Sequence, residues 1–307
     1  MTIYKFILKV FLLAILPAIL FLSAYEVLYR NIPNSYKLKH DYLAKSADSV
    51  KILILGSSHI FYGVNPEYLP KGSFSAANVS QSLYYDGLIY DRYFKGKVNP
   101  EYIIIGMSYN SLWHDLAKSI EDWRIRKYNI YYGFGGIRDY LSDDNYEFTL
   151  GDRTVWDYYR SNKDFLKCTD LGFGTSYIDN SSYDLNETGL SAAKRHACNM
   201  KERAGDFAIN IAALDDILSD AAGRSKIVFL TAPGYSSYRN AIPKEQILRT
   251  EDVVEEYIKK YPDVVYLNLF EDGRFVEKDF FDGDHLCTSG AKKLSIILND
   301  TLPKLFK

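Results

Sequence analysis

The chain has 307 residues, 47% hydrophobic and 25% charged, with 37 Lys+Arg against 39 Asp+Glu. That is enough apolar residue for a buried core and excludes a disordered chain or a collagen-like fibre. A formal net charge of −2 lacks the basic excess of a dedicated nucleic-acid binder, and three cysteines, Cys168, Cys198 and Cys287, form no disulfide framework or C-x-x-C motif.

From Phe6 to Ala24 the chain reads FILKVFLLAILPAILFLSA, broken only by Lys9, Pro17 and Ser23. As a helix it spans about 28 Å at 1.5 Å per residue, most of a hydrocarbon core of about 30 Å. Residues 1–25 are therefore expected to be a single N-terminal membrane anchor, or an uncleaved signal, with Lys5 and Lys9 snorkelling to the interface. The Lys/Arg bias predicts a cytoplasmic N-terminus and an extracytoplasmic remainder. The alternative is a cleaved signal peptide, for which Leu22-Ser23-Ala24 is a poor cleavage site. The all-round apolarity of Val10 to Leu22 argues against a soluble amphipathic helix. Both membrane readings put Cys168 and Cys198 in a compartment where pairing is chemically allowed.

Residues 26–49 are polar and basic-tinged, a stalk. From 50 to 307 the pattern alternates. Val50–Leu55 (VKILIL), Tyr102–Ile105 (YIII), Lys226–Leu230 (KIVFL) and Asp263–Leu269 (DVVYLNL) are short apolar runs of the kind that form buried parallel strands. Between and after them lie helical stretches. Phe207, Ile211, Leu214 and Leu218 share a face ahead of Gly223, Ile247, Val254 and Ile258 follow Pro243, and Leu294, Ile297 and Leu298 mark a last helix from Ser289. Such alternation predicts a three-layer α/β/α sandwich on a mostly parallel sheet, flavodoxin-like in layout. Trp123 to Asn186 breaks the rhythm with aromatics, Gly, Asp and Asn, and reads as an insertion: a functional loop, a stacking surface for sugar rings, or its own small core.

In an open parallel sheet, sites form beyond the carboxyl ends of the strands. There the chain places Gly56-Ser57-Ser58-His59, then Gly106-Met107-Ser108-Tyr109-Asn110, and finally Asp282-Gly283-Asp284-His285 ahead of the last helix. A serine, a carboxylate and a histidine on one rim are the inventory for a serine nucleophile, its base and the group that orients the base. Gly56 allows a sharp exit from the strand and Ser58 starts the next helix, where free amides stabilise an oxyanion. The plainer reading is that Ser57 or Ser58 is an N-cap and that Asp282 and Asp284 cap a loop. A divalent metal held by Asp282, Asp284 and His285, with His59, is a further possibility, disfavoured for want of a His pair or third carboxylate. No metal or other cofactor is expected. His59 reads as a surface or helix-face residue, His40, His114 and His196 have no partner spacing, and Cys287 reads as a small buried hydrophobe.

GSSH after the first strand and DGDHLCTSGA before the last helix resemble the first and last blocks of the SGNH/GDSL hydrolase superfamily. That resemblance implies Ser58 as nucleophile, His285 as base and Asp282 as orienting acid. The middle blocks depart from the pattern. Val79–Leu83 (VSQSL) lacks the expected oxyanion glycine, leaving a Ser80 amide in its place, and the expected Gly-x-Asn reads Gly106-Met107-Ser108 with Asn110 two residues later. Ser108 or Asn110 is then the second oxyanion donor. With the anchor, the chain is similar in architecture to the membrane-anchored branch that moves acyl groups on envelope polymers, as in alginate O-acetylation and teichoic-acid D-alanylation. The expectation is an extracytoplasmic serine esterase or O-acyltransferase acting on acylated cell-envelope polysaccharide, partnered by the membrane, with a membrane-bound acyltransferase as a further candidate partner and no nucleic acid. The alternative is a non-catalytic envelope protein that binds glycan or docks an acyltransferase, with Trp156 or Tyr158 as stacking residues.

Overall fold

The computed structural model describes residues 3–135, 145–149 and 152–306. Parts of the aromatic insertion, 136–144 and 150–151, lie outside the described residues. The chain divides into two compact units, Met1–Lys37 with Trp123–Leu166, and Leu38–Asp122 with Lys167–Lys307.

The first unit is built on α1 (Ile3–Arg30), a helix long and apolar enough to cross a membrane. Its apolar side chains, among them Phe11, Leu13, Leu16 and Phe21, are exposed along its length. A 28-residue helix of this composition is what the run from Phe6 predicts, extended by two turns beyond Ala24. The next helix, α2 (Ser35–Ser46), occupies half of the expected stalk, and its residues from Leu38 belong to the second unit. Within the insertion, α5 (Ile125–Lys127) runs into a π-helical turn, Tyr128–Tyr132, and α6 (Thr154–Ser161) follows.

The second unit holds a five-stranded sheet in the order β2-β1-β3-β4-β5, every pair parallel. The strands are β1 (Ile52–Leu55), β2 (Ser73–Ser75), β3 (Tyr102–Gly106), β4 (Lys226–Thr231) and β5 (Val264–Asn268). Every residue of β1 and β3 is buried, as an unbroken apolar run requires when helices cover both faces. The helices are α3 (Ser58–Phe61), α4 (Leu83–Tyr93), α7 (Leu185–His196), α8 (Ala204–Ala221), α9 (Ser236–Ala241), α10 (Lys244–Lys260) and α11 (Thr288–Leu305). From β1 the chain steps one way along the sheet to β2, and from β3 onward it steps the other way. Right-handed crossovers therefore put α4, α8 and α10 on one face and the β1–β2 connection on the other. α4 packs on α8, while α11 packs on the turn Pro66–Tyr68 of the β1–β2 connection, where Ser295 Oγ accepts from Asn65 N–H at 2.8 Å. This is the expected α/β/α sandwich, and its topological switch point lies between β1 and β3. The one strand hidden from the sequence pattern is β2, a three-residue edge carrying a single apolar side chain, Phe74.

Candidate active site

Above the switch point a cleft of about 420 Å³ is lined by Ser58, His59, Ser80, Asn110, Tyr177 and His285, among others. The loop after β1 positions the first of these. Gly56 takes φ +138°, where a Cβ would stand 2.9 Å from Ile60 Cγ1 and 3.1 Å from Gly106 Cα, so only glycine fits this turn beside β3. Its amide donates to Asp86 Oδ1 at 3.0 Å. Ser57 precedes α3 but its hydroxyl makes no capping bond, and Ser58 is the first helical residue.

The loop after β5 supplies the rest. His285 Nε2 lies 2.8 Å from Ser58 Oγ, and its Nδ1 lies 3.0 and 3.1 Å from the two oxygens of Asp282. Asp282 Oδ1 also accepts the backbone amides of Asp284 at 3.1 Å and His285 at 2.8 Å, so one carboxylate shapes the loop and orients the ring. Tyr177 stands edge-on to the His285 ring at 5.0 Å and stacks on Phe281 and Tyr62, closing one side of it.

A second set of polar side chains is buried behind these. Asp284 Oδ2 meets His59 Nε2 at 3.1 Å, its Oδ1 lies 3.5 Å from His285 Nδ1, and His59 Nδ1 meets Ser108 Oγ at 2.7 Å. His59 is thus not a surface residue: it is 8% exposed, turned inward by α3 onto Asp284, itself 3% exposed. The sequence brings these two residues together only as co-ligands in the metal alternative; their hydrogen bond, across 225 positions of chain, is a tertiary result. Burial acts on the Asp284 carboxyl in the direction of neutrality, but the His285 and His59 imidazoles outweigh it and hold the acid well below its usual range. Burial likewise disfavours the charged form of His285, and here the Asp284 and Asp282 carboxylates win and raise its pKa. His196, by contrast, is lowered to about 3 by burial and by the neighbouring His59 ring, and its Nδ1 pairs with Tyr238 OH at 2.8 Å.

Donor atoms of His59, Asp284 and His285 lie within 4.8 Å of one another, so these are the described residues that offer a metal three ligands. Each of these side chains already has protein hydrogen-bond partners.

Of the residues considered for an oxyanion, Ser80 and Asn110 line the cleft with Ser58. Ser80 has φ +55°, the left-handed conformation for which glycine is normally used, and His114 Nε2 holds its carbonyl at 2.9 Å. Ser108 is not brought to this cleft: its hydroxyl is taken by His59, its amide donates to Ser111 Oγ at 3.0 Å, and it borders a smaller adjoining cavity. Trp156 and Tyr158 lie on α6 in the first unit and are not among the residues lining the cleft. Cys168, Cys198 and Cys287 are all free thiols.

No family model matches the chain. No curated protein matches it either. Among 13 matching chains of solved structures is one described as a "putative platelet activating factor from Streptococcus pneumonia". It is 13% identical, with a TM-score of 0.44, over 94% of this chain and 98% of that one.

Proposed function

We propose that the protein is a serine-dependent ester hydrolase or O-acyltransferase, with Ser58 as nucleophile, His285 as general base and acid, and Asp282 as the group that orients the base. The observation that carries this reading is the unbroken hydrogen-bond chain from Asp282 through His285 Nδ1 and Nε2 to Ser58 Oγ at the floor of an open cleft.

Ser58 Oγ attacks the ester carbonyl carbon while its proton passes to His285 Nε2. The carbonyl oxygen, now carrying negative charge, is met by the backbone amides of Ser58 and Ser80 and by the Asn110 side chain. Two or three such donors, each worth about 3 kcal/mol in the transition state, are what a tetrahedral intermediate needs. Collapse breaks the ester C–O bond, and the departing alkoxide takes the proton back from His285. Water, or a sugar hydroxyl, then attacks the acyl-serine while His285 accepts its proton; collapse breaks the bond to Ser58 Oγ, which takes that proton back from His285. The two acceptors separate hydrolase from transferase without any change in the residues used.

For substrate we propose acyl esters on cell-envelope carbohydrate, with α1 retained as an anchor and the residues after Arg30 extracytoplasmic. The support is the apolar length of α1 and a cleft whose walls combine the Tyr177 and Trp113 rings with Asn110, Arg195 and His196. The deciding experiment is labelling of the full chain by a fluorophosphonate, paired with hydrolysis of an aryl acetate. Ser58→Ala is expected to abolish both, and His285→Ala to lower acetate turnover by about 10³-fold or more. Labelling that survives Ser58→Ala moves the nucleophile elsewhere. Absence of both reactions in the wild-type chain leaves the glycan-binding or docking alternative.

A further inference from the structure

The first unit carries a short helix whose exposed face has no role in the chemistry above. On α6, Val155 is buried, while Trp156 is 53% and Tyr159 48% exposed. Arg153, the residue before α6, and Trp156 and Arg160 within it follow at intervals of three and four, so they share one side, with the Arg160 guanidinium 4.8 Å from the Trp156 ring centroid. Arg153 and Arg160 are both exposed, and the acid of the helix itself, Asp157, is half-buried and 3.5 Å from Lys163 beyond the helix end. An aromatic and basic face is the composition that settles at a bilayer interface, the rings at the boundary between headgroups and acyl chains and the cations among phosphates.

The height of this face is set by its attachment to α1. Tyr159 OH donates to Leu28 O at 3.1 Å. Tyr25 OH donates to Asp152 O at 3.0 Å and Tyr29 OH to Asp152 Oδ2 at 2.9 Å, while Asp152 Oδ1 accepts the first amide of α6, from Thr154, at 2.7 Å. Glu26 accepts the amides of Glu147 and Phe148, each at 2.9 Å. The last two turns of α1 are thus bolted to the segment that bears α6. The apolar run ends at Ala24, and Leu28 is four residues farther on, about 6 Å along the helix axis. The polar layer outside the hydrocarbon is itself about 5–7 Å thick on each side. Tyr25, Tyr29 and α6 therefore share the depth of the lipid headgroups whenever the apolar run of α1 fills the hydrocarbon.

We infer that α6 is an interfacial helix, seated on the surface of an anionic bilayer by Trp156, Tyr159, Arg153 and Arg160. This rests on the reading of α1 as a retained membrane span and is independent of the serine chemistry. With it, residues 145–149 and 152–161 become a collar that fixes the end of α1 at the headgroup layer.

The test uses the full chain in nanodiscs of phosphatidylcholine and phosphatidylglycerol that carry a nitroxide either high on the acyl chain or at its terminal methyl. The Trp156 contribution is the emission lost in Trp156→Phe. The shallow nitroxide is expected to quench that contribution about two-fold or more, the deep one and aqueous acrylamide much less. The exposed double variant Arg153→Glu/Arg160→Glu, which keeps Trp156, is expected to lose most of the shallow quenching while still co-eluting with the discs through α1. Co-elution with Trp156 open to acrylamide and untouched by the nitroxides overturns the interfacial helix and leaves α1 as an anchor. Failure of the wild-type chain to co-elute overturns both. Shallow quenching unchanged by the charge reversal overturns the role of the basic residues. Fluorophosphonate labelling of the same discs reports on Ser58 alone.

Discussion

Two carboxylates face the His285 imidazole, and they differ in what else they touch. Asp282 accepts from the ring and from two backbone amides of its own loop, whereas Asp284 is shared between His285 and His59. Asp282→Asn is expected to lose orientation and the correct ring tautomer, lowering kcat by roughly 10³–10⁴-fold at every pH. Asp284→Asn acts chiefly through charge. The carboxylate stabilises protonated His285, and a base must be neutral to work, so the folded protein gains activity only as pH rises through the raised His285 pKa. Removing the charge moves that acidic limb of the kcat/KM profile to lower pH. A pH profile of an Asp284→Asn protein with its limb unmoved, or moved upward, refutes this account of the second carboxylate. His59→Gln, which keeps a side-chain donor toward Asp284, is expected to retain most activity in the acetate assay, since the two ring nitrogens of His59 bond Ser108 and Asp284 rather than Ser58.

At the level of elements, the loop that carries the base is held by a close backbone approach as well as by side chains. A Cβ at Gly283 would stand 2.2 Å from both Cα and N of Gly189 in α7. Gly283 N–H donates to Thr188 Oγ1 at 2.9 Å, and its carbonyl accepts from Tyr235 N–H at 3.1 Å just before α9. Neither backbone can yield without moving a helix, so Gly283→Ala is expected to cost about 1–3 kcal/mol of stability through overpacking. It also displaces Asp282 and His285 from Ser58. Urea unfolding and acetate turnover measured on the same protein are both expected to fall; a variant with native midpoint and native turnover contradicts the packing described.

For the molecule as a whole, two buried ionisable groups set opposing pH dependences of stability. Asp86, clamped between Gly56 N–H and the Gln81 amide with its second oxygen unpartnered, has its pKa raised by burial to about 7. The folded state then holds a proton the unfolded chain releases above its ordinary value of 3.8, so this contribution is full below that pH and is lost as pH rises to about 7. Lys39, fully buried beneath the Phe61 ring and bonded to Ala77 O, has its pKa lowered by burial to about 7. Its contribution is full above 10.5 and is lost as pH falls to about 7. Each single proton gives a slope of at most about 1.4 kcal/mol per pH unit. Asp86→Asn is expected to flatten the decline between pH 4 and 7 and leave the alkaline side alone, while Lys39→Met does the converse. Chemical denaturation across pH checks both, and identical pH profiles for wild type and variants overturn the assignment.

The features legible in the sequence are those that depend on a few consecutive residues. An apolar run such as ILIL or YIII is stable only where both faces are covered, so β1, β3 and β4 and the parallel class follow from local composition, as does the apolar length of α1. Ser58, Asp282 and His285 could be nominated because strand ends in a parallel sheet converge on one rim whatever the loops do. Their mutual distances are a tertiary result, and so is the fate of Ser108, which a strand-end position puts near the cleft and a bond from His59 holds away from it. Asp284 reads from sequence as a loop cap or as one of a metal's ligands, because nothing in four consecutive residues reveals a hydrogen bond to a histidine 225 positions away. The aromatics of the insertion carry no period, so only folding shows that Tyr159 reaches back to Leu28 of α1. Patterning encodes which side of an element is buried; which distant element covers it is decided by chain topology, through contacts whose partners share no sequence neighbourhood.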